Sequence, residues 1–413
     1  MAALVPEDRR FITGVEGSDA ILPAPPPYWS YSSLKEVEAC PRRYVLTRAA
    51  YPDLGYERGY PQLPFVPALL GDIVHDTLEV IVTELVAAGC ESMKSPEALG
   101  VLKKMGGFSA VVEQSVRKKL DGIDQNPRVT AQRRSRLVRE LRDAVDDGRA
   151  RVQEYLSRAR FSPRQARGKM GEGKFSESKR RVAAVGPNAE LTLIDEQLRL
   201  TGRVDLIDVN LEGAVILDYK TGAEDPGHIG QLQLYALLWD LDRIVNPTSV
   251  PAAALVAAYS NHDVKVDAPS LSELRELEER TRLRIATADS LVAAEAPSAN
   301  PSVENCGLCP VRHLCAVYWT TVCPDPSTLK DGDWLDFEGV VGEVNGVRSR
   351  WMLHPATGKR QILLQTTPNS QALKEGSRVR ILGLVRGSNP ETSDLTATMA
   401  ANAEAFQLST KFE

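Results

Sequence analysis

The sequence predicts an α/β domain carrying a helical insertion, followed by a small C-terminal β-barrel. Two apolar runs, Val204 to Val209 and Ala214 to Tyr219, flank Asn-Leu-Glu-Gly and read as a β-hairpin with helical periodicity on either side. From Pro96 to Arg167 the pattern is helical and rich in arginine. Beyond residue 330 only short strand-like runs separated by turn signals remain. A chain of 413 residues is long enough for two or three domains with a substantial core.

Composition narrows the class. With 43% hydrophobic and 25% charged residues the chain reads as a soluble globular protein. No apolar run approaches the roughly 20 residues that span a bilayer, and residues 1–27 hold no apolar stretch of the secretory type. The protein is therefore expected in the cytoplasm, with no membrane partner. Net charge is −5, yet Val101 to Arg181 holds 22 Lys/Arg against 10 Asp/Glu, a local excess of +12 that leaves −17 for the rest. Such a basic segment is either a phosphate-contacting surface or a solvated helix face.

In chain order, residues 1–27 end in PAPPP without periodicity and read as a flexible arm, and a fold over residues 28–322 follows. Ser32 or Ser33 is expected to N-cap a short helix, with Glu36 in a capping box, and Cys40-Pro41 ends it. Leu69 to Ala88 is helical and places His75 and Glu79 on one face. The insertion spans about 96–178. Its clearest helix runs from Val129 to Phe161 on a stripe of Leu137, Leu141, Val145, Val152 and Leu156, and residues 168–178 read as a loop or gate. Glu190 to Leu200 leads into the hairpin. After it come a helix from Gln231 to Leu241, a buried strand over 251–260 with a partner over 263–267, and an amphipathic helix over 270–294.

The hairpin turn is centred between Leu211 and Glu212, so a symmetric register sets Asp205 opposite Asp218 at about 4.5–5.5 Å between Cβ atoms. Carboxylates that close are tolerated when they share a proton or a cation, and hard divalent ions such as Mg²⁺ suit oxygen donors. Lys220 follows on the same face as Asp218. Asp-Tyr-Lys-Thr-Gly after Gly-Arg-Val-Asp, with Gln231 and Tyr235 in GQLQLYALLW and His75 in GDIVHDTLE, resembles the RecB-like branch of the PD-(D/E)XK nucleases. The resemblance implies a metal-dependent DNA nuclease on an α/β restriction-endonuclease-like core. His75, Asp205, Asp218 and the Tyr219 carbonyl would hold Mg²⁺ or Mn²⁺, Lys220 would be catalytic, and Gln231 and Tyr235 would stand near it and the substrate strand.

The six cysteines are clustered rather than scattered. Cys306, Cys309 and Cys315 lie close together, and Cys40 stands far upstream beside Pro41. In a cytoplasmic chain this argues for metal rather than disulfide, and four thiolates suit either tetrahedral zinc or a four-iron cluster, zinc leading on spacing alone. The remote cysteine paired with a C-terminal triplet resembles the iron–sulfur staple of AddB-type and CRISPR-associated RecB-like nucleases, and that resemblance implies a 4Fe-4S cluster on Cys40, Cys306, Cys309 and Cys315. Cys90 reads as a small buried residue, and Cys323 as the competitor for a ligand place.

Residues 323–330 read as a linker. Strand-like runs at 334–344, 350–354, 361–365, 378–385 and 397–407 make residues 331–413 an OB-like barrel, which either docks protein or binds single strands through Trp351, Arg348, Arg350 and Arg360; Trp334 is expected in its core. The whole reads as a deoxyribonuclease acting on single-stranded DNA or ends in repair, recombination or anti-phage defence. The alternative is a non-cleaving iron–sulfur scaffold that binds nucleic acid. No Walker loop is present, so unwinding would come from a helicase or another repair or defence subunit as partner.

Overall fold

The computed structural model describes residues 11–12, 20–57, 59–163, 180–367, 370, 372–388, 394–400 and 402–408. The chain opens on a two-rung ladder of β1 (Phe11–Ile12) and β2 (Ala20–Ile21). Residues 20–27 depart from the expectation of a flexible arm. Ala20 and Leu22 are buried, Ile21 exchanges backbone bonds with Ala50, and Arg199 donates to the carbonyls of Pro26 and Pro27. Apolar side chains entering the core, together with donors for proline carbonyls, offset the cost of ordering this segment.

Helix α1 (Tyr31–Ala39) is capped by Ser30 in a box with Ser33, earlier than expected, and Glu36 instead pairs with Arg48 at 2.7 Å. Helix α2 (Pro41–Arg48) starts on Pro41, whose missing N–H costs nothing at a first helical position. Cys40 is thus fixed at the corner between the two helices. Helices α3 (Val66–Ala87), α4 (Ala98–Lys104), α5 (Gly107–Asp124) and α6 (Ala131–Arg158) form one layer. In α6 the buried stripe includes Leu141, Val152 and Leu156, as the periodicity indicates, and Gly148 admits α3, because a Cβ there would lie 3.0 Å from Leu70. The expected gate at 168–178 lies outside the described residues.

A five-stranded sheet follows, in the order β3 (Gly186–Asp195), β4 (Leu200–Asn210), β5 (Gly213–Lys220), β6 (Ala252–Tyr259), β7 (Asp263–Asp267). Only β5–β6 is parallel, joined by α7 (Gly227–Leu241). One face packs on α1, α2, α7 and α8 (Leu271–Ala293), and the other on α3 and α6. The result is a helix–sheet–helix sandwich. Short helices α9 (Val303–Gly307) and α10 (Ala316–Thr321) carry the chain out of it.

The C-terminal strands are β8 (Trp334–Val344), β9 (Ser349–Leu353), β10 (Arg360–Thr366), β11 (Arg378–Ser388), β12 (Leu395–Met399) and β13 (Glu404–Gln407). Pairing runs β8–β9–β10–β12–β11 and back to β8, with β10–β12 parallel, which closes a five-stranded ring of OB topology. Two expectations change here. The run 397–407 is two strands, and Trp334 is 60% exposed because it opens β8 at the rim rather than entering the core. Trp351 carries the Arg360 guanidinium 4.9 Å above its ring, while Arg350 donates to the Leu373 carbonyl and Arg348 is exposed.

The barrel docks through buried charge. Glu404 accepts from Arg128 at 2.7 and 3.1 Å and pairs with Arg133 at 3.0 Å, while Asp336 accepts from Arg312 at 2.6 Å and from the Tyr318 hydroxyl at 2.7 Å. His313 stacks on Phe406 at 3.8 Å between centroids. The segment between Cys309 and Cys315 is therefore also the barrel's seat. No helix among the described residues is long and apolar enough to cross a membrane.

Candidate active site

The β4–β5 ladder runs from Asn210–Gly213 to Leu206–Leu217, the symmetric register expected, so Asp205 and Asp218 come next in line. At that point the Asp205 carboxylate takes the Tyr219 N–H at 2.6 Å. The Tyr219 side chain turns to the opposite face, against Tyr155, leaving only its backbone toward the carboxylates. Tyr155 in turn donates its hydroxyl to the Lys220 carbonyl at 2.5 Å and Arg151 donates to the Thr221 carbonyl, so α6 pins the end of β5.

On the site face Lys220 contacts the Asp218 carboxylate and donates to Gln231 Oε1 at 2.6 Å. The Gln231 amide donates to the Tyr235 hydroxyl at 2.7 Å, and that hydroxyl bonds Asp218. The loop of contacts is closed, and the Lys220 side chain is only 10% exposed. Gly202 makes it feasible: a Cβ there would meet the Tyr235 ring at 2.6 Å. His75 reaches from α3, its Nδ1 3.8 Å from Asp205. One turn earlier Gly71 lets α3 approach β5, since a Cβ would stand 2.8 Å from the Thr221 hydroxyl.

Electrostatics follow from this crowding. Burial, and then the facing Asp218, raises the Asp205 carboxyl well above the usual range, against the pull of the Tyr219 amide. Burial lowers His75, outweighing the nearby carboxylates, and so keeps an imidazole lone pair available as a donor to metal. A buried and a half-buried carboxylate, a neutral imidazole and a strand-end carbonyl make an oxygen-rich set that fits a hard divalent cation. Among the described residues no three His, Cys, Asp or Glu side chains converge tightly enough to hold one ion; at this site Lys220 contacts the Asp218 carboxylate and the Tyr219 amide donates to Asp205.

One residue was missed by sequence reasoning. The β3–β4 ladder pairs Ala189 with Leu206 and Leu191 with Val204, which sets Glu190 opposite Asp205. Glu190, Asp205 and Asp218 thus line up across three strands, with Glu190 at φ 55°, a left-handed backbone that costs about 1–3 kcal/mol for a residue other than glycine. Extending the register one strand outward from Asp195–Leu200 would have found it. Arg203 bridges Glu190 at 2.5 Å and Glu79 at 2.6 Å.

Burial nonetheless pushes Glu190 from 4.5 up to about 7, with Arg203 opposing and Glu79 and Asp218 adding. The folded state therefore holds an extra proton between those values, and stability falls as pH rises through that window. In chelator, the urea midpoint of wild type is expected to drop more between pH 5 and pH 8 than that of Glu190→Gln. Parallel pH profiles would refute this assignment.

All four expected cluster cysteines, Cys40, Cys306, Cys309 and Cys315, line one cavity together with Arg42 and Arg43. Burial raises the Cys306 thiol, and pushes Cys309 up to about 11. Cys323 is not among the lining residues; its Sγ lies 3.4 Å from the Asp336 carbonyl, in the barrel interface. Cys90 is buried beneath α3.

Residues 28–316 match the family model described as the PD-(D/E)XK nuclease superfamily, a span that contains every residue of this site and all four clustered cysteines. No curated protein matches the chain. Among solved structures, the OB domain (residues 67–166) of MM0293 from Methanosarcina mazei is 16% identical, covers 20% of this chain and 77% of its own, and has a TM-score of 0.16. A murine DNA binding protein bound with double-stranded DNA is 10% identical, with 54% and 95% covered and a TM-score of 0.17. The barrel assignment rests on its own strand order rather than on either likeness.

Proposed function

The chain belongs to the PD-(D/E)XK nuclease superfamily, and from that premise we propose that it is a Mg²⁺- or Mn²⁺-dependent deoxyribonuclease of the RecB-like kind, hydrolysing phosphodiester bonds in single-stranded or end-containing DNA. The observation that carries this is Lys220, held by Gln231 beside Asp218 with Asp205 and His75 around it. Asp205, Asp218, His75 and the Tyr219 carbonyl would hold the metal, with Glu190 as a further carboxylate. When bound, the metal supplies Lewis-acid polarisation and a water of lowered pKa. Lys220 would orient the attacking water, and its ammonium would stabilise charge building on the phosphate. Gln231 fixes the ammonium, and the Tyr235 hydroxyl fixes Asp218.

The cysteine cavity supports a structural 4Fe-4S cluster in this reading. Four cysteines lining one cavity, with two arginines on its wall, suit an anionic thiolate-bound group. The basic insertion and the barrel would guide the strand, in a repair, recombination or anti-phage setting with a helicase or other subunit as partner. End-labelled single-stranded, duplex and forked DNAs incubated with Mg²⁺ or Mn²⁺ test the function. Cleavage that chelator abolishes is expected, whereas binding without cleavage on every substrate would favour a non-cleaving scaffold.

A further inference from the structure

Helix α7 starts at Gly227, a turn before the expected Gln231, and this brings His228 onto the stripe of Gln231 and Tyr235 at i, i+3 and i+7. The His228 Nδ1 lies 2.7 Å from the Tyr259 hydroxyl. Tyr259 ends β6 and is the ladder partner of Lys220. Its ring is clamped from the other side by His262, stacked at 5.1 Å, whose Nε2 pairs with Glu224 at 2.7 Å. The Tyr259 oxygen also accepts the backbone N–H of Asp225.

These contacts determine where the imidazole hydrogen sits. With the Tyr259 oxygen already accepting from Asp225, we assign its own hydrogen to His228 Nδ1, which is then the ring's acceptor. Burial and the charge of Lys220 lower His228, opposed by Asp225 and Asp218, so the ring is neutral near pH 7 with its hydrogen on Nε2. That Nε2 has no partner among the described residues. The nearby carboxylates are engaged elsewhere: Asp225 accepts from Gly227 N at 2.6 Å and pairs with Lys35 at 3.5 Å, while Glu224 is held by His262. A fixed neutral donor is left beside Lys220, in the first turn of a 15-residue helix.

We propose that the His228 Nε2–H binds a non-bridging oxygen of the phosphate next to the scissile one in the DNA strand, with Tyr259 as the positioning residue that fixes its tautomer. The inference rests on the nuclease reading for the path of the strand. A phosphodiester is the acceptor that path supplies, and an uncharged donor held by a rigid partner binds it without a charge that the neighbouring carboxylates would capture.

The test reads binding without cleavage. Affinity of the full chain for short single-stranded DNAs is measured in chelator, with one neutral methylphosphonate moved along the strand. His228→Ala is expected to weaken binding about tenfold, and His228→Gln, which keeps an N–H donor, to recover part of it. One methylphosphonate position should penalise wild type and not His228→Ala; Tyr259→Phe should lessen the same penalty. Urea midpoints equal to wild type show that the His228 variants fold, and those variants decide the matter if Tyr259→Phe does not. Equal affinities with identical methylphosphonate profiles overturn the contact, and if wild type still cleaves DNA, the nuclease reading stands. A His228 effect in a wild-type protein that cleaves nothing supports the contact and overturns the nuclease reading instead.

Discussion

Replacing Lys220 by alanine is expected to lower DNA cleavage by on the order of 10²–10³ or more, with the folded structure retained. The Lys220 side chain is nearly buried, and its ammonium touches Asp218 and is held in place by Gln231. In so dry a setting a positive charge acts strongly on negative charge developing at a phosphate. Folding should survive because Asp218 keeps the Tyr235 hydroxyl once the ammonium is gone. Asp218→Ala should show a loss of similar size through a different route, removing a carboxylate proposed to hold the metal. Gel assays on end-labelled DNA, with circular dichroism as the folding control, measure both. Activity in Lys220→Ala equal to wild type would end the nuclease assignment.

Protein purified without oxygen is expected to be brown, to carry about four iron and four labile sulfide per chain, and to bleach on oxidation. Cys306→Ser or Cys309→Ser should destabilise the nuclease domain by roughly several kcal/mol, since binding energy at such a site is also folding energy and the proposed staple would close a loop from Cys40 to Cys306. The structure adds a further consequence. Asp336 of the barrel holds Arg312 and Tyr318, and Arg380 donates to the His313 carbonyl at 2.7 Å, so loosening the Cys309–Cys315 segment also loosens the barrel's seat. Limited proteolysis of either variant should release the barrel sooner than in wild type, whereas Cys90→Ser should leave cluster and seat intact. A colourless protein holding one zinc on these cysteines would overturn the cofactor and leave the hairpin argument standing.

Local periodicity and turn chemistry made much of this protein readable from its sequence. A hairpin's register depends only on where its turn is centred, so Asp205 and Asp218 could be paired from Asn-Leu-Glu-Gly alone, and β4 and β5 bear that register. The α6 stripe and the strands from β8 to β11 were legible for the same reason, because period and breakers are properties of neighbouring residues. Contacts between elements distant in the chain were not legible. That Gly202 makes room for the Tyr235 ring, that Glu190 adds a third carboxylate, that Trp334 lies at a rim, and that residues 20–27 pack against Ala50 and Arg199 all depend on neighbours far away in sequence. The same holds for His228, whose role waits on where α7 begins and on a tyrosine 31 residues away. Sequence by itself determined which chemical groups lie on one strand face. Only the tertiary structure decided which of them are desolvated together, because burial, and with it the proton affinity of each group, is set by the packing of the whole sandwich.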